Sequence, residues 1–146
     1  MGKITFHSHN IRLKLSNRKL IKQFLLNLFE VENMSLSQLD YIFCSDEYLL
    51  QLNKQFLQHD YYTDIITFSL GIKSEPIIGE IYISVDRIKD NAKLLGISPD
   101  VEILRVILHG ALHLCGHLDK KPDDKQAMTM KEDFYLKEFN KVSRGT

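Results

Sequence analysis

Cysteine is scarce in this chain of 146 residues: Cys44 and Cys115 are the only two. They are too few for a disulfide scaffold, and a domain of this size does not need one. Tryptophan is absent, and three prolines with seven glycines exclude collagen-like or linker-rich architecture. Net charge is missing as well, because 19 Lys and Arg balance 19 Asp and Glu. That balance argues against a protein that holds nucleic acid by bulk electrostatics, since such affinity scales with the phosphates neutralised. No apolar run has the length of a membrane span; the most apolar stretch, 103–116, is interrupted by Arg105 and two histidines. The N-terminus MGKITFHSHN lacks the apolar core of a signal peptide. Phe6 also stands where a myristoylation motif needs Ser or Thr. A cytoplasmic protein without membrane attachment is the expectation. What is present, 44% hydrophobic and 26% charged residues in 17.0 kDa, suits one domain spanning 1–146 with a real core.

Patterning predicts a short strand at 3–7 and an amphipathic helix at 18–31, capped by Ser16 or Asn17. A strand follows at 39–44, then a helix to about 57 capped by Ser45 or Asp46, with Leu49, Leu52 and Phe56 on one face. IITFSL at 65–70 and EIYIS at 80–84 read as strands, and GIKSEPIIG between them as a loop. Three helices complete the chain at 85–95, 99–115 and about 123–141. Pro99 suits the first helical position and Gly116 a left-handed stop. Strands early and helices late give an α+β domain: a small mixed four-stranded sheet covered by helices. The helix 99–115 is apolar nearly all round, so it should be central and buried.

That helix carries His109-Gly-Ala-Leu-His113-Leu-Cys-Gly116-His117-Leu-Asp119. Residues four apart share a helix face, so His109 and His113 can converge on one cation. The competing reading is a pair of core histidines bonded to carbonyls. Catalytic zinc takes three protein ligands and leaves a position for water. On a straight helix His117 would stand about 12 Å from His109, too far to share an ion. If Gly116 breaks the helix, the chain can fold back and deliver Asp119, the layout of H-x3-H-x2-G-x2-[H/D] sites. Asp119 is the favoured third ligand, with His117 left to second-shell or surface duty. Zinc peptidases place a glutamate after the first histidine as general base; here Gly110 stands in that place, which disfavours a peptidase. Cys115 lies about 200° around the helix from His113 and reads as core, as does Cys44.

The segment resembles the H-G-x-L-H-L-x-G-[YH]-x-H signature of the YbeY family, bacterial metal-dependent endoribonucleases of rRNA maturation and ribosome quality control. Upstream, residues 52–68 (LNKQFLQHDYYTDIITF) are similar to the family's L-N-x-x-[YF]-R-x-x-D-x-x-T-D-V-L-[ST]-F block, and 79–84 (GEIYIS) to its G-[DE]-I-x-I-S strand. The resemblance implies an α+β fold and one Zn2+ ion held by His109, His113 and Asp119. The implied activity is a single-strand-specific endoribonuclease acting in 16S rRNA 3′ end processing and quality control. Single-stranded rRNA and the ribosome or small-subunit assembly proteins would be the partners, with no DNA and no membrane. Two departures stand out: Asp119 replaces the usual third histidine, and Leu57 occupies the place of an arginine suited to phosphate.

His59, when protonated, is the candidate replacement for that arginine, or else an exposed loop histidine, and Asp64 is a candidate catalytic, ligand-supporting or structural group. Asp60 and Thr63 would lie near the groove, although turn chemistry before a strand is the preferred account of all three residues at 60, 63 and 64. Arg87, Lys89, Lys93, Arg105, Lys120, Lys121 and Lys125 flank the motif and are read either as a groove frame or as solvated charges. Two further classes stay open: a metallohydrolase of other specificity, such as an endopeptidase, and a non-catalytic ribosome-assembly factor with a structural metal.

Overall fold

A computed structural model of the chain describes residues 2–144. Four strands and five helices follow one another as β1 (Lys3–Ser8), α1 (Arg18–Val31), β2 (Leu36–Cys44), α2 (Asp46–Leu57), β3 (Ile65–Ser69), β4 (Ile77–Ser84), α3 (Val85–Leu95), α4 (Pro99–Leu114) and α5 (Pro122–Arg144). The sheet order is β1-β2-β4-β3, with β1, β2 and β4 parallel and β3 antiparallel against β4. This is the expected mixed α+β architecture.

Two-residue alternation along the central strands sorts the side chains between two layers. Leu39, Tyr41, Phe43, Ile81 and Ile83 join α1, α4 and α5 in the main core. Cys44, Ile66, Phe68 and Tyr82 face the other way and pack with Leu49 and Leu52 of α2. Helix starts follow local chemistry: Ser45, Ser84 and Ser98 each accept a bond from the backbone N–H three residues on. The first helix differs from expectation. Asn17 precedes it in a left-handed conformation (φ 60°) and makes no side-chain cap bond.

Two strands also begin earlier than their patterns suggest. Leu36 pairs with Ile77 and Gln38 with Ile78, so Ile77 to Gly79 belong to β4 rather than to the loop. Among the described residues no helix is long and apolar enough to cross a membrane.

Two contacts set α4 against the sheet. The buried Tyr41 hydroxyl donates to the Ile107 carbonyl in mid-helix (2.8 Å). One turn on, a Cβ built on Gly110 would lie 2.7 Å from Ile81 Cδ1 and 3.1 Å from Ile65 Cδ1. Glycine allows this close approach of helix to strand, and a side chain at 110 would force Ile81 and Ile65 to shift.

Candidate metal centre

His109 and His113 lie one turn apart and line one cleft of about 220 Å³ with Asp119, Lys120, Leu57, His59, Tyr61, Thr63 and Thr67. The two imidazoles differ in exposure, against the reading of a pair of core histidines. His109 is largely buried, but His113 stands exposed near the end of α4. Position 110, where zinc peptidases carry their base, is crowded: a side chain there would have to displace Ile81.

The helix does break where the glycine stands. Gly116 adopts φ +100°; its N–H donates to the His113 carbonyl (3.0 Å) and that of His117 to the Leu112 carbonyl (3.1 Å). This bond pair closes a helix end with a left-handed residue. The chain then returns to place Asp119 Oδ2 3.1 Å from His109 Nε2.

The other ring nitrogen, Nδ1, donates to Glu132 Oε2 of α5 at 2.6 Å. A carboxylate can only accept, so Glu132 fixes the proton on Nδ1 and presents the Nε2 lone pair to Asp119. Two acceptors cannot face each other at this distance without a positive charge between them. Either Nε2 takes a second proton or a cation sits there. Burial would lower the pKa of His109, but the bond to Glu132 and its charge, with Asp119 and Asp64, outweigh it and raise the value.

The same geometry suits a metal, since two donors about 2 Å from one tetrahedral ion stand about 3.3 Å apart. The carboxylate behind the ring is the usual support for a ligating histidine. His113, exposed on the same helix face, also lines the cleft. As placed, no group of three His, Cys, Asp or Glu among the described residues is gathered around one point.

Behind His109 lies a buried ionic chain that sequence reading missed. Arg105 donates to Glu132 Oε1 (3.0 Å) and grips Glu102 with two bonds (2.8 and 2.7 Å). Both glutamates are essentially buried. Arg105 therefore belongs to this interior network and does not frame the groove. A signal was available for Glu132: with Met128, Tyr135 and Phe139 it falls on the buried stripe of α5. An acid at a core position needs a partner.

The remaining candidates separate. His59 and Thr63 line the cleft, and His59 Nδ1 lies 2.9 Å from the Tyr61 hydroxyl. Asp64 sits partly buried just before β3, outside the cleft lining, and its carbonyl accepts from Ser84 N–H (3.0 Å). Burial raises its carboxyl, partly opposed by its own N–H and by the charges of His109 and Arg105. Asp60 is exposed and pairs with Lys54 (3.3 Å). His117 turns away from the cleft: its Nε2 lies 2.6 Å from Glu32 Oε1. Burial, with acidic neighbours, pushes the Cys44 and Cys115 thiols up to about 12, which leaves both unreactive. Lys120 is the one lysine or arginine among the lining residues.

The family model for Endoribonuclease YbeY matches residues 3–140. An Endoribonuclease YbeY of Cytophaga hutchinsonii is 47% identical over 133 residues, covering 91% of this chain and 93% of the relative. That of Amoebophilus asiaticus is 41% identical over 133 residues, covering 91% and 90%. The solution structure of TM1509 from Thermotoga maritima superposes with a TM-score of 0.67 at 26% identity, covering 97% of this chain and 92% of that one. With family-model coverage from the first strand into the last helix, the chain belongs to the Endoribonuclease YbeY family, hydrolases that act on RNA.

Proposed function

We propose that this chain is a zinc-dependent endoribonuclease that cuts single-stranded rRNA, including 16S rRNA 3′ end processing, and serves ribosome quality control in the cytoplasm. One observation carries the reading: His109 Nε2 and Asp119 Oδ2 face each other at 3.1 Å in a cleft that His113 also lines, with Glu132 holding the far side of the ring. His109, His113 and Asp119 would hold the ion. When bound, zinc stabilises charge on phosphoryl oxygens and acidifies water.

The chain's own groups do the rest. Glu132 keeps the His109 proton on Nδ1, away from the metal side. Lys120 and, when protonated, His59 supply positive charge for the phosphate where Leu57 cannot. Asp64 acts from behind, as a negative charge felt by His109 rather than as a group in the cleft. With zero formal net charge, autonomous affinity for RNA is weak, and positioning falls to the ribosome or small-subunit assembly proteins.

The test combines metal analysis with two substrates. Purified protein should carry about one zinc and cut single-stranded RNA but not casein. His113→Ala should stay folded while losing metal and RNA cleavage. Unfolding of that variant on metal loss would instead support a structural metal, and cleavage by chelator-stripped protein would overturn the reading.

A further inference from the structure

The cleft has an aromatic rim that the metal ligands do not need. The rings of His59 and Tyr61 stack with centroids 5.0 Å apart and planes within 19°. Both line the cleft, and Tyr61 is 56% exposed. The segment that carries them is pinned. Gln58 ends α2 in a left-handed conformation (φ 56°). His59 N–H donates to the Asn53 carbonyl (3.0 Å), and the buried Asn53 side chain donates to the Tyr61 carbonyl (2.8 Å). A large flat ring is therefore held in water, already oriented, beside the residues that would hold the ion. Leu57 and Ile65 extend the apolar wall.

We propose that Tyr61, backed by His59, is a stacking platform for one unpaired nucleobase next to the phosphodiester that is cut, and so determines specificity for single strands. The inference rests on the endoribonuclease reading and adds the residue that reads the strand. An exposed aromatic face stacks any base whose own faces are free, without regard to sequence. Within a duplex those faces are covered by neighbouring pairs, so the platform has nothing to take unless the base is first pulled out of its stack.

The test uses the full chain and begins without metal, so that binding is read apart from cleavage. A short single-stranded RNA carrying 2-aminopurine in place of one base reports stacking as quenched fluorescence, and the chain contains no tryptophan to compete. Scanning the probe along the strand should find one position quenched by wild type and by Tyr61→Phe. Tyr61→Ala should abolish that quenching and weaken binding by about 5- to 150-fold, the range for losing one stacked base.

An abasic riboside at the same position should weaken binding to wild type by the same factor and leave Tyr61→Ala unaffected. With zinc restored, the loss should fall on KM rather than kcat. The proposal is overturned if Tyr61→Ala quenches like wild type, if it weakens the abasic and intact strands equally, or if Tyr61→Phe is as impaired as Tyr61→Ala. Position-specific quenching by a protein that cleaves no RNA with zinc present would refute the enzymatic reading and leave the platform standing.

Discussion

His109 and His117 stand eight residues apart, and each lies 2.6 Å from a glutamate supplied by a remote part of the chain, Glu132 and Glu32 respectively. At His117 the arrangement is closed. Its Nε2 is bound to Glu32, and the other oxygen of Glu32 accepts from Lys131 (3.0 Å) and from the Tyr135 hydroxyl. That corner ties the end of α1, the turn after Gly116 and α5 into one unit. At His109 the glutamate takes only Nδ1, and the ring's second nitrogen points into an open cleft toward another acceptor. The same pair of groups thus closes a structural corner in one place and borders an open cleft in the other. What separates them is the second nitrogen's surroundings: at His109 it faces another acceptor, Asp119, across a cleft.

Breaking the open corner should have the largest effect. Glu132→Ala removes the partner of His109 and one partner of Arg105, and losing one side of a buried ion pair costs about 3–5 kcal/mol. Urea unfolding should show that loss, and competition with a chelator should show zinc affinity reduced about 10- to 100-fold. An unchanged zinc affinity would mean that Glu132 does not support the ring.

The closed corner should answer differently. His117→Ala leaves Glu32 with Lys131 and Tyr135, so about 1–3 kcal/mol of stability should go while bound zinc stays constant. His109→Ala, by contrast, should abolish the zinc.

Acid sharpens the contrast further. Burial alone would raise the Glu32 carboxyl, but bonds from Tyr135, His117 and Lys131 bring it down to about 2. A carboxylate with a depressed folded-state pKa stabilises fully above its ordinary value near 4.5, and loses that contribution as pH falls from there toward 2. Glu32→Gln should therefore flatten the stability profile in that window, as read by unfolding midpoints at successive pH values. The smallest effect belongs to the surface. Lys54→Ala removes only the exposed pair with Asp60, and no change in unfolding midpoint should be measurable.

The helices and the fold class were legible because serine caps, a proline start and a glycine stop are local signals that neighbouring residues alone decide. The early ends of β2 and β4 were not. Leu36 and Ile77 read as loop separately and become strand only by pairing with each other, a fact no single segment holds. The open corner was half legible. The four-residue histidine spacing and the glycine break pointed to His109, His113 and Asp119, and the structure brings Asp119 to His109 while leaving His113 exposed. Glu132 and Glu32 lie 23 and 85 residues from the histidines they hold, so only tertiary packing reveals which histidine each one meets. Asn17 failed as a side-chain cap because its backbone is left-handed, which spacing cannot disclose.

The reversal at Gly116 divides the centre between two elements. The two imidazoles ride on a helix set against the sheet by Tyr41 and Gly110, whereas Asp119 hangs from the returning segment. In the proposed centre metal preference would rest on residue 119: a carboxylate there suits harder ions such as Mn2+ alongside zinc, and Asp119→His would tilt the selection toward softer, nitrogen-seeking ones.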